Sequence, residues 1–191
     1  MRLAEIFYTL QGEGAWTGTP AVFVRAAGCN LACRFCDTDY SYKFDAGVDE
    51  IVARVEELGG GCRFVVLTGG EPLIQRESQR LVARLIERGF DVHIESNGTT
   101  FVELPPSVWL TVSPKERLDP RMAERADEAK LIVDGRVPEE WLSAPWRGDA
   151  TIWLQPEGNK PKNIALAVEA ALAHPSRYRL SLQTHKFIGI R

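Results

Sequence analysis

The chain alternates short apolar runs with longer stretches in which apolar residues recur every three to four positions. The short runs predict strands at Ala21–Ala26, Arg63–Leu67, Asp91–Glu95, Trp109–Val112, Lys130–Val133, Thr151–Leu154 and Arg179–Leu182. Continuous short runs of this kind suit strands buried on both faces of a parallel sheet. The helical period predicts four helices. The first starts with Asp49 as N-cap, carries Ile51, Val52, Val55 and Leu58 on one face, and stops at Gly59-Gly60-Gly61. The second covers Ser78–Arg88, with Leu81, Val82, Leu85 and Ile86 inward and Gly89 just beyond its end. A short third helix follows Asp119-Pro120, an N-cap with proline in the first helical position. The fourth follows Pro161, with Ile164, Val168 and Leu172 at four-residue spacing, and ends before Pro175.

Alternating strands and helices predict an α/β fold with right-handed crossovers. A full eight-unit barrel takes about 250 residues. The 191 residues here predict one domain, 1–191, built as a partial TIM-like β/α barrel around a parallel sheet. Ser96–Ser107 and Arg136–Gly148, rich in Pro, Gly and polar residues, read as loops where helices would complete the pattern. In such a barrel, ligand contacts gather at the C-terminal ends of the strands.

The formal net charge of −3 argues against a general nucleic-acid surface. No apolar run approaches the roughly 20 residues that span a bilayer. No charged-then-apolar leader precedes the first motif. The expectation is a cytoplasmic, reducing setting without nucleic-acid or membrane partners.

Cys29, Cys33 and Cys36 follow the first predicted strand with C-x3-C-x2-C spacing. Three thiolates on one loop can hold three corners of a cubane iron–sulfur cluster and leave the fourth iron open to a small molecule. An odd trio cannot pair internally as disulfides. Zinc is the other reading, with a fourth ligand from Cys62, His93, His174 or His185, but no second C-x2-C or H-x3-H pair accompanies them. Spacing and context favour the cluster. Cys62, after a glycine run and at the start of a strand, reads as a small buried hydrophobe.

Polar clusters end the later strands: Thr68-Gly-Gly-Glu-Pro72, Glu95-Ser-Asn-Gly-Thr99, Ser113-Pro-Lys115 and Gln155-Pro-Glu-Gly158. Glycines allow close backbone approach to a ligand, although the first two clusters serve equally as tight turns. Arg25 lies inside an apolar run, where an unpaired charge is costly, so it needs either a ligand carboxylate or a structural ion pair. Thr38 taken alone suits a turn or cap. His185 taken alone suits a structural role better than a catalytic one.

The cysteine loop followed by Gly-Gly-Glu-Pro resembles the radical S-adenosylmethionine superfamily. Glu5–Gly14, Gly18-Thr-Pro20, Val24-Arg25, Cys36-Asp-Thr38, Ser113-Pro-Lys115, Gln155-Pro156 and Leu182–Lys186 together resemble its 7-carboxy-7-deazaguanine synthase family, from residue 5 to the last residues. The resemblance implies a carbon–nitrogen lyase. It would contract 6-carboxy-5,6,7,8-tetrahydropterin to 7-carboxy-7-deazaguanine with loss of ammonia, for queuosine and related deazapurine pathways. S-adenosylmethionine on the open iron would yield a 5′-deoxyadenosyl radical and be regenerated each cycle.

By the same resemblance, Cys29, Cys33 and Cys36 hold a [4Fe–4S] cluster and Thr38 is a Mg2+ ligand. Leu10, Gln11, Gly12, Arg25 and Thr68 are substrate contacts. Gly70, Ser113, Pro114, Lys115, Gln155, Pro156, Glu157 and Gly158 are S-adenosylmethionine contacts. No side chain is assigned as catalytic, since the cofactor carries the radical chemistry. The implied partners are the pterin, an electron donor such as flavodoxin or ferredoxin, and a second copy in a homodimer. Two other readings stand beside this one. A glycyl-radical-enzyme activase shares the cysteine loop but acts on a large protein, and Gln11–Gly14 with Cys36–Thr38 fits a pterin and a metal better. A non-enzymatic iron–sulfur or zinc module would not cleave S-adenosylmethionine.

Overall fold

Nine strands form one sheet in a computed structural model of residues 1–191. They are β1 (Arg2–Leu10), β2 (Pro20–Ala26), β3 (Phe44–Asp45), β4 (Phe64–Gly69), β5 (Asp91–Ser96), β6 (Trp109–Val112), β7 (Glu128–Val133), β8 (Thr151–Pro156) and β9 (Tyr178–Leu180). Their order is β3-β1-β2-β4-β5-β6-β7-β8-β9. From β2 to β9 every pairing is parallel, while β1 lies antiparallel to β2 and β3 antiparallel to β1. Helices α1 (Val48–Gly59), α2 (Ser78–Glu87), α3 (Pro120–Arg125) and α4 (Pro161–Ala173) occupy connections between parallel strands, and α5 (Thr184–Ile188) follows β9. This is the expected partial barrel. The links after β5 and after β7 carry no α-helix.

All seven expected strands are present, most with a residue or two added. Two strands were not expected. A register shift between Leu3 and Glu5 breaks the two-residue alternation of β1 and hides it from a pattern reading. At two residues, β3 has no pattern to read.

Alternation assigns the two faces of the sheet. On β4, Val65 and Leu67 face the outer core while Phe64 and Val66 face inward. On β7, Ala129, Leu131 and Val133 face α4, which leaves Glu128, Lys130 and Ile132 inward. The outer face of β2, β4, β5 and β6 packs on α1 and α2 through Val24, Leu67, Ile94, Leu110, Ile51 and Leu81. Each such fully buried aliphatic side chain contributes on the order of 1.5–3 kcal/mol relative to exposure.

Two helix expectations need correction. The N-cap of α1 is Gly47, two residues before Asp49, and the Glu50 carboxylate accepts the Gly47 N–H at 2.6 Å. The α4 interface is formed by Asn163, Leu166, Ala167, Ala170 and Ala171, whereas Leu172 is 76% exposed. This helix is apolar on most sides, so the Ile164–Val168–Leu172 spacing does not single out the packed face. The alanines let it approach β7 and β8 closely. Asp119 caps α3 as expected, accepting Arg121 N–H at 3.0 Å. No helix is long and apolar enough to cross a membrane.

Candidate active site

The inward face of the sheet and the C-terminal ends of its parallel strands enclose a cavity of about 450 Å3. That volume lies within the range of small-molecule sites. Residues 11–18, between β1 and β2, cross the concave face. Ala15 N–H donates to Glu128 Oε2 at 3.0 Å, and Gly14 N–H to Ser181 Oγ at 3.0 Å. Gly14 has φ +66°, and a Cβ there would lie 2.5 Å from Glu128 Oε1, so glycine is required.

The residues singled out from the sequence converge on this cavity. Leu10, Gln11, Gly12, Arg25 and Thr68 line it, as do Gly70, Ser113, Lys115 and Gln155 to Gly158. Cys29, Cys33, Cys36 and Thr38 line it too. Pro114 is the exception, buried in the turn after β6 and not part of the wall.

Three strand-end segments are tied together around the cysteine loop. Gly70 crosses Gly28 so closely that a Cβ on Gly70 would sit 2.1 Å from the Gly28 carbonyl oxygen. Glu71 is fully buried. Its carboxylate accepts from Leu73 N–H and Ser96 Oγ, each at 3.0 Å, and from Asn97 N–H at 2.6 Å. Burial pushes the Glu71 pKa up, and those three hydrogen bonds offset only part of the rise. Asn97 Nδ2 in turn reaches Asn30 Oδ1 at 3.0 Å and Cys29 Sγ at 3.8 Å.

The donor set suits an iron–sulfur cluster. All three loop cysteines are free thiols facing the cavity. Burial raises the Cys33 pKa, Lys115 opposes the rise, and Cys29 and Cys36 add to it. Three thiolates this close on one loop need the positive charge that iron supplies. No three His, Cys, Asp or Glu side chains gather about a single-ion point. A cubane takes one thiolate at each corner rather than three at one centre. Cys62 stands at the opposite end of the barrel. Its Sγ lies 3.2 Å from the Pro20 carbonyl, at the start of β2, while the loop cysteines follow the end of that seven-residue strand.

The same cavity is lined by an ionic triad in which Lys130 is buried and its two carboxylate partners are partly buried. Lys130 Nζ bridges Glu13 Oε2 at 2.5 Å and Glu95 Oε2 at 3.1 Å. The other Glu95 oxygen accepts from Gln11 Nε2 at 3.0 Å, and the other Glu13 oxygen accepts from Gln183 Nε2 at 2.9 Å. Burial works against ionisation of Glu95, but the Lys130 charge, His93 and the hydrogen bonds outweigh it and hold the carboxyl down at about 2. Glu13 is likewise lowered, burial being overcome by Lys130. Burial also opposes the charge on Lys130, and the two carboxylates more than reverse that, raising its pKa. Lys115 Nζ donates to the Ser113 carbonyl at 2.9 Å, and burial, then Lys130 nearby, push it down to about 8.

Arg25 has the structural ion pair that the sequence left as one of its two readings. Its Nε pairs with Glu5 Oε1 at 2.8 Å, and Arg191 takes Glu5 Oε2 at 2.6 Å. The Arg25 terminal nitrogens have no protein hydrogen-bond partner, and the residue faces the cavity. The segment after β9 closes over the 11–14 loop. Thr184 N–H donates to the Gly12 carbonyl at 2.9 Å, and Lys186 and Gln183 both bind Asp37 Oδ2.

The sequence reading missed Glu13, Lys130, Gln183 and Asp37 as members of the site. For Lys130 a signal existed: like Arg25, it is a charge in the inward phase of an apolar strand. Its partners lie 117 and 35 residues away and could be found only in three dimensions.

Comparison with known proteins gives concordant findings. Residues 23–133 match the family model described as the Radical SAM superfamily. A protein named 7-carboxy-7-deazaguanine synthase from Bacteroides thetaiotaomicron is 44% identical over 100% of this chain and 98% of its own length. A protein of the same name from Escherichia coli K12 is 35% identical, with 97% of each covered. The crystal structure of QueE from Escherichia coli superposes with TM-score 0.81 at 34% identity, covering 96% of this chain and 94% of that one.

Proposed function

Since the chain belongs to the 7-carboxy-7-deazaguanine synthase family of radical S-adenosylmethionine lyases, we propose that it contracts 6-carboxy-5,6,7,8-tetrahydropterin to 7-carboxy-7-deazaguanine and ammonia. The family implies a [4Fe–4S] cluster and S-adenosylmethionine. The observation that carries the reading is the joint placement of the cysteine loop, the strand-end glycine motifs and Arg25 on one cavity.

Cys29, Cys33 and Cys36 hold the cluster in this proposal. When bound, the cluster and S-adenosylmethionine would supply the one-electron chemistry, a 5′-deoxyadenosyl radical able to take hydrogen from the substrate. Every other task falls to the protein. Gly70, Ser113 to Lys115 and Gln155 to Gly158 cradle S-adenosylmethionine, largely through backbone. Pro114 acts in this as part of the turn that presents its two neighbours, since its own side chain is off the wall. Leu10, Gln11, Gly12 and Thr68 contact the pterin. The two terminal Arg25 nitrogens form a fork that suits a carboxylate. Thr38, which lines the same cavity, offers a hydroxyl oxygen, a donor type Mg2+ would accept.

Closure by the segment after β9, latched through Gln183 and Lys186, would keep water from a reactive intermediate. The single domain acts as a homodimer, takes its electron from a flavodoxin or ferredoxin, works in the cytoplasm, and supplies queuosine and related deazapurine pathways. Anaerobic incubation of cluster-loaded protein with the pterin, S-adenosylmethionine and dithionite tests this, read by mass spectrometry with and without magnesium. The expected result is 7-carboxy-7-deazaguanine, formed faster with magnesium. Intact pterin after S-adenosylmethionine cleavage would overturn the substrate assignment.

A further inference from the structure

Four consecutive backbone amides between β1 and β2 have no backbone partner and are held by side chains instead. Gly12 and Glu13 N–H donate to Gln11 Oε1 at 2.8 and 3.2 Å, Gly14 N–H to Ser181 Oγ and Ala15 N–H to Glu128 Oε2, each at 3.0 Å. The shape of this turn is therefore set by three side chains. Two of them come from far along the chain, Glu128 from the start of β7 and Ser181 from just past β9.

Glu128 is the anomaly among them. It is 1% exposed, and its hydrogen-bond partners are three neutral donors. Its Oε2 accepts Trp153 Nε1–H at 2.6 Å beside the Ala15 N–H, and its Oε1 accepts the Thr111 hydroxyl at 2.7 Å. The single Thr111 hydrogen is then spent, so His93 Nε2, 2.6 Å away, donates to Thr111, and His93 Nδ1 is left without a partner. A carboxylate buried without a cation is costly, and an apolar side chain of the same volume would fill the space more favourably. Stability alone therefore does not account for Glu128.

An apolar side chain could not reach across the barrel and grip the turn. Glu128 takes the Ala15 N–H and abuts Gly14, where a Cβ would lie 2.5 Å from Oε1. The next residue, Trp16, packs its ring 5.1 Å from Phe64 and 5.3 Å from Trp109, and its indole nitrogen has no partner. Packing of that kind is non-directional, whereas a hydrogen bond to a carboxylate fixes orientation. Upstream, Gly12 and Glu13 N–H orient the Gln11 side chain, so a turn that pivots at Gly14–Ala15 carries Gln11 and Gly12 with it. Gln11 and Gly12 lie on the cavity wall, and Glu128 does not.

We propose that Glu128 is a positioning residue: it anchors the 12–15 turn from the start of β7 and so sets Gln11 and Gly12 in the geometry that receives the pterin. This rests on the pterin reading given above. Glu128 acts through the turn and touches neither ligand.

The test is anaerobic calorimetric titration of cluster-loaded wild type, Glu128→Leu and Glu128→Gln with 6-carboxy-5,6,7,8-tetrahydropterin and with S-adenosylmethionine, without reductant, alongside hydrogen exchange of residues 11–18. Glu128→Leu should bind the pterin about ten-fold or more weakly, because the turn must then be ordered on binding rather than beforehand. Its S-adenosylmethionine affinity should stay within about two-fold, and the amides of residues 12–15 should exchange faster. Glu128→Gln keeps an oxygen for Ala15 and Trp153 and turns its amide toward Thr111, so it should restore pterin affinity to within about three-fold of wild type. Should Glu128→Leu fail to fold, Gly14→Ala, which drives a methyl group against the carboxylate, carries the same expectation. A folded Glu128→Leu or Gly14→Ala with wild-type pterin affinity overturns the inference, as does a Glu128→Gln that loses as much as Glu128→Leu. Wild type that binds no pterin overturns the pterin reading itself, and this inference with it.

Discussion

The Glu71 carboxylate accepts the backbone N–H of Asn97 at 2.6 Å, joining two strand-end motifs that lie 26 residues apart. Glu71 is thereby a strut. It holds the loop whose Asn97 side chain reaches Asn30 and Cys29. Glu71→Gln puts an amide donor where only acceptors fit, and a buried unsatisfied donor costs about 1–3 kcal/mol. The expected outcome is a lower melting temperature together with faster loss of iron on dilution, measured by the visible absorbance of the cluster. Cluster retention equal to wild type would show that the strut does not reach the cysteine loop.

The four cysteines should divide sharply. Anaerobic reconstitution of Cys29→Ala, Cys33→Ala and Cys36→Ala should yield less than a full four-iron cluster and no turnover. Cys62→Ala should reconstitute as wild type, since its sulfur contacts the Pro20 carbonyl at the other end of the barrel. A normal iron count and full activity in Cys33→Ala would remove the cluster assignment.

Arg25 already has Glu5 as a partner, so its removal should be tolerated by the fold. That pair is partly exposed, 20% and 26% at the two side chains, and a pair of that exposure contributes about 1 kcal/mol or less. Substrate binding should suffer far more, by about 2–5 kcal/mol in Arg25→Ala, because the ligand carboxylate is then left unpaired. Arg25→Lys should rescue poorly, lacking the fork. Calorimetry with the pterin and with S-adenosylmethionine checks both halves. Unchanged pterin affinity in folded Arg25→Ala would reduce Arg25 to a partner of Glu5.

The Glu95 carboxyl is held at about 2, against an ordinary value of 4.5, because Lys130 and its hydrogen bonds outweigh the opposing burial. A carboxyl with a depressed folded pKa contributes stability that is present above its unfolded pKa and lost as pH falls through the folded one. The melting-temperature gap between wild type and Glu95→Gln should therefore be level from pH 8 to 5, about where ordinary carboxyls are ionised, and shrink below 4.5. A gap that grows on acidification would contradict the ionised state of Glu95.

Much of this architecture is legible in the sequence, and the failures have local causes. Strands β4 to β8 announce themselves because both faces of a parallel sheet are covered, giving continuous apolar runs. Strand β1 does not, because its register shift scrambles the alternation. The packed face of α4 is lost among alanines. The cysteine loop and strand-end motifs are visible because glycine, proline and cysteine are restricted by backbone geometry or chemistry. Lys130 shows only as a charge in the inward phase of a strand, and the pairings of Glu13, Lys130 and Asp37 are not legible, because their partners are brought from far along the chain.

The central claim is that one substrate molecule becomes one deazapurine and one ammonia, with S-adenosylmethionine returned after each cycle. The most direct measurement follows product, ammonium and S-adenosylmethionine together during anaerobic turnover of the cluster-loaded protein on 6-carboxy-5,6,7,8-tetrahydropterin. The account predicts 7-carboxy-7-deazaguanine and ammonium rising in equal amounts while S-adenosylmethionine stays level over many turnovers. Stoichiometric build-up of 5′-deoxyadenosine without ammonium or deazapurine would contradict it.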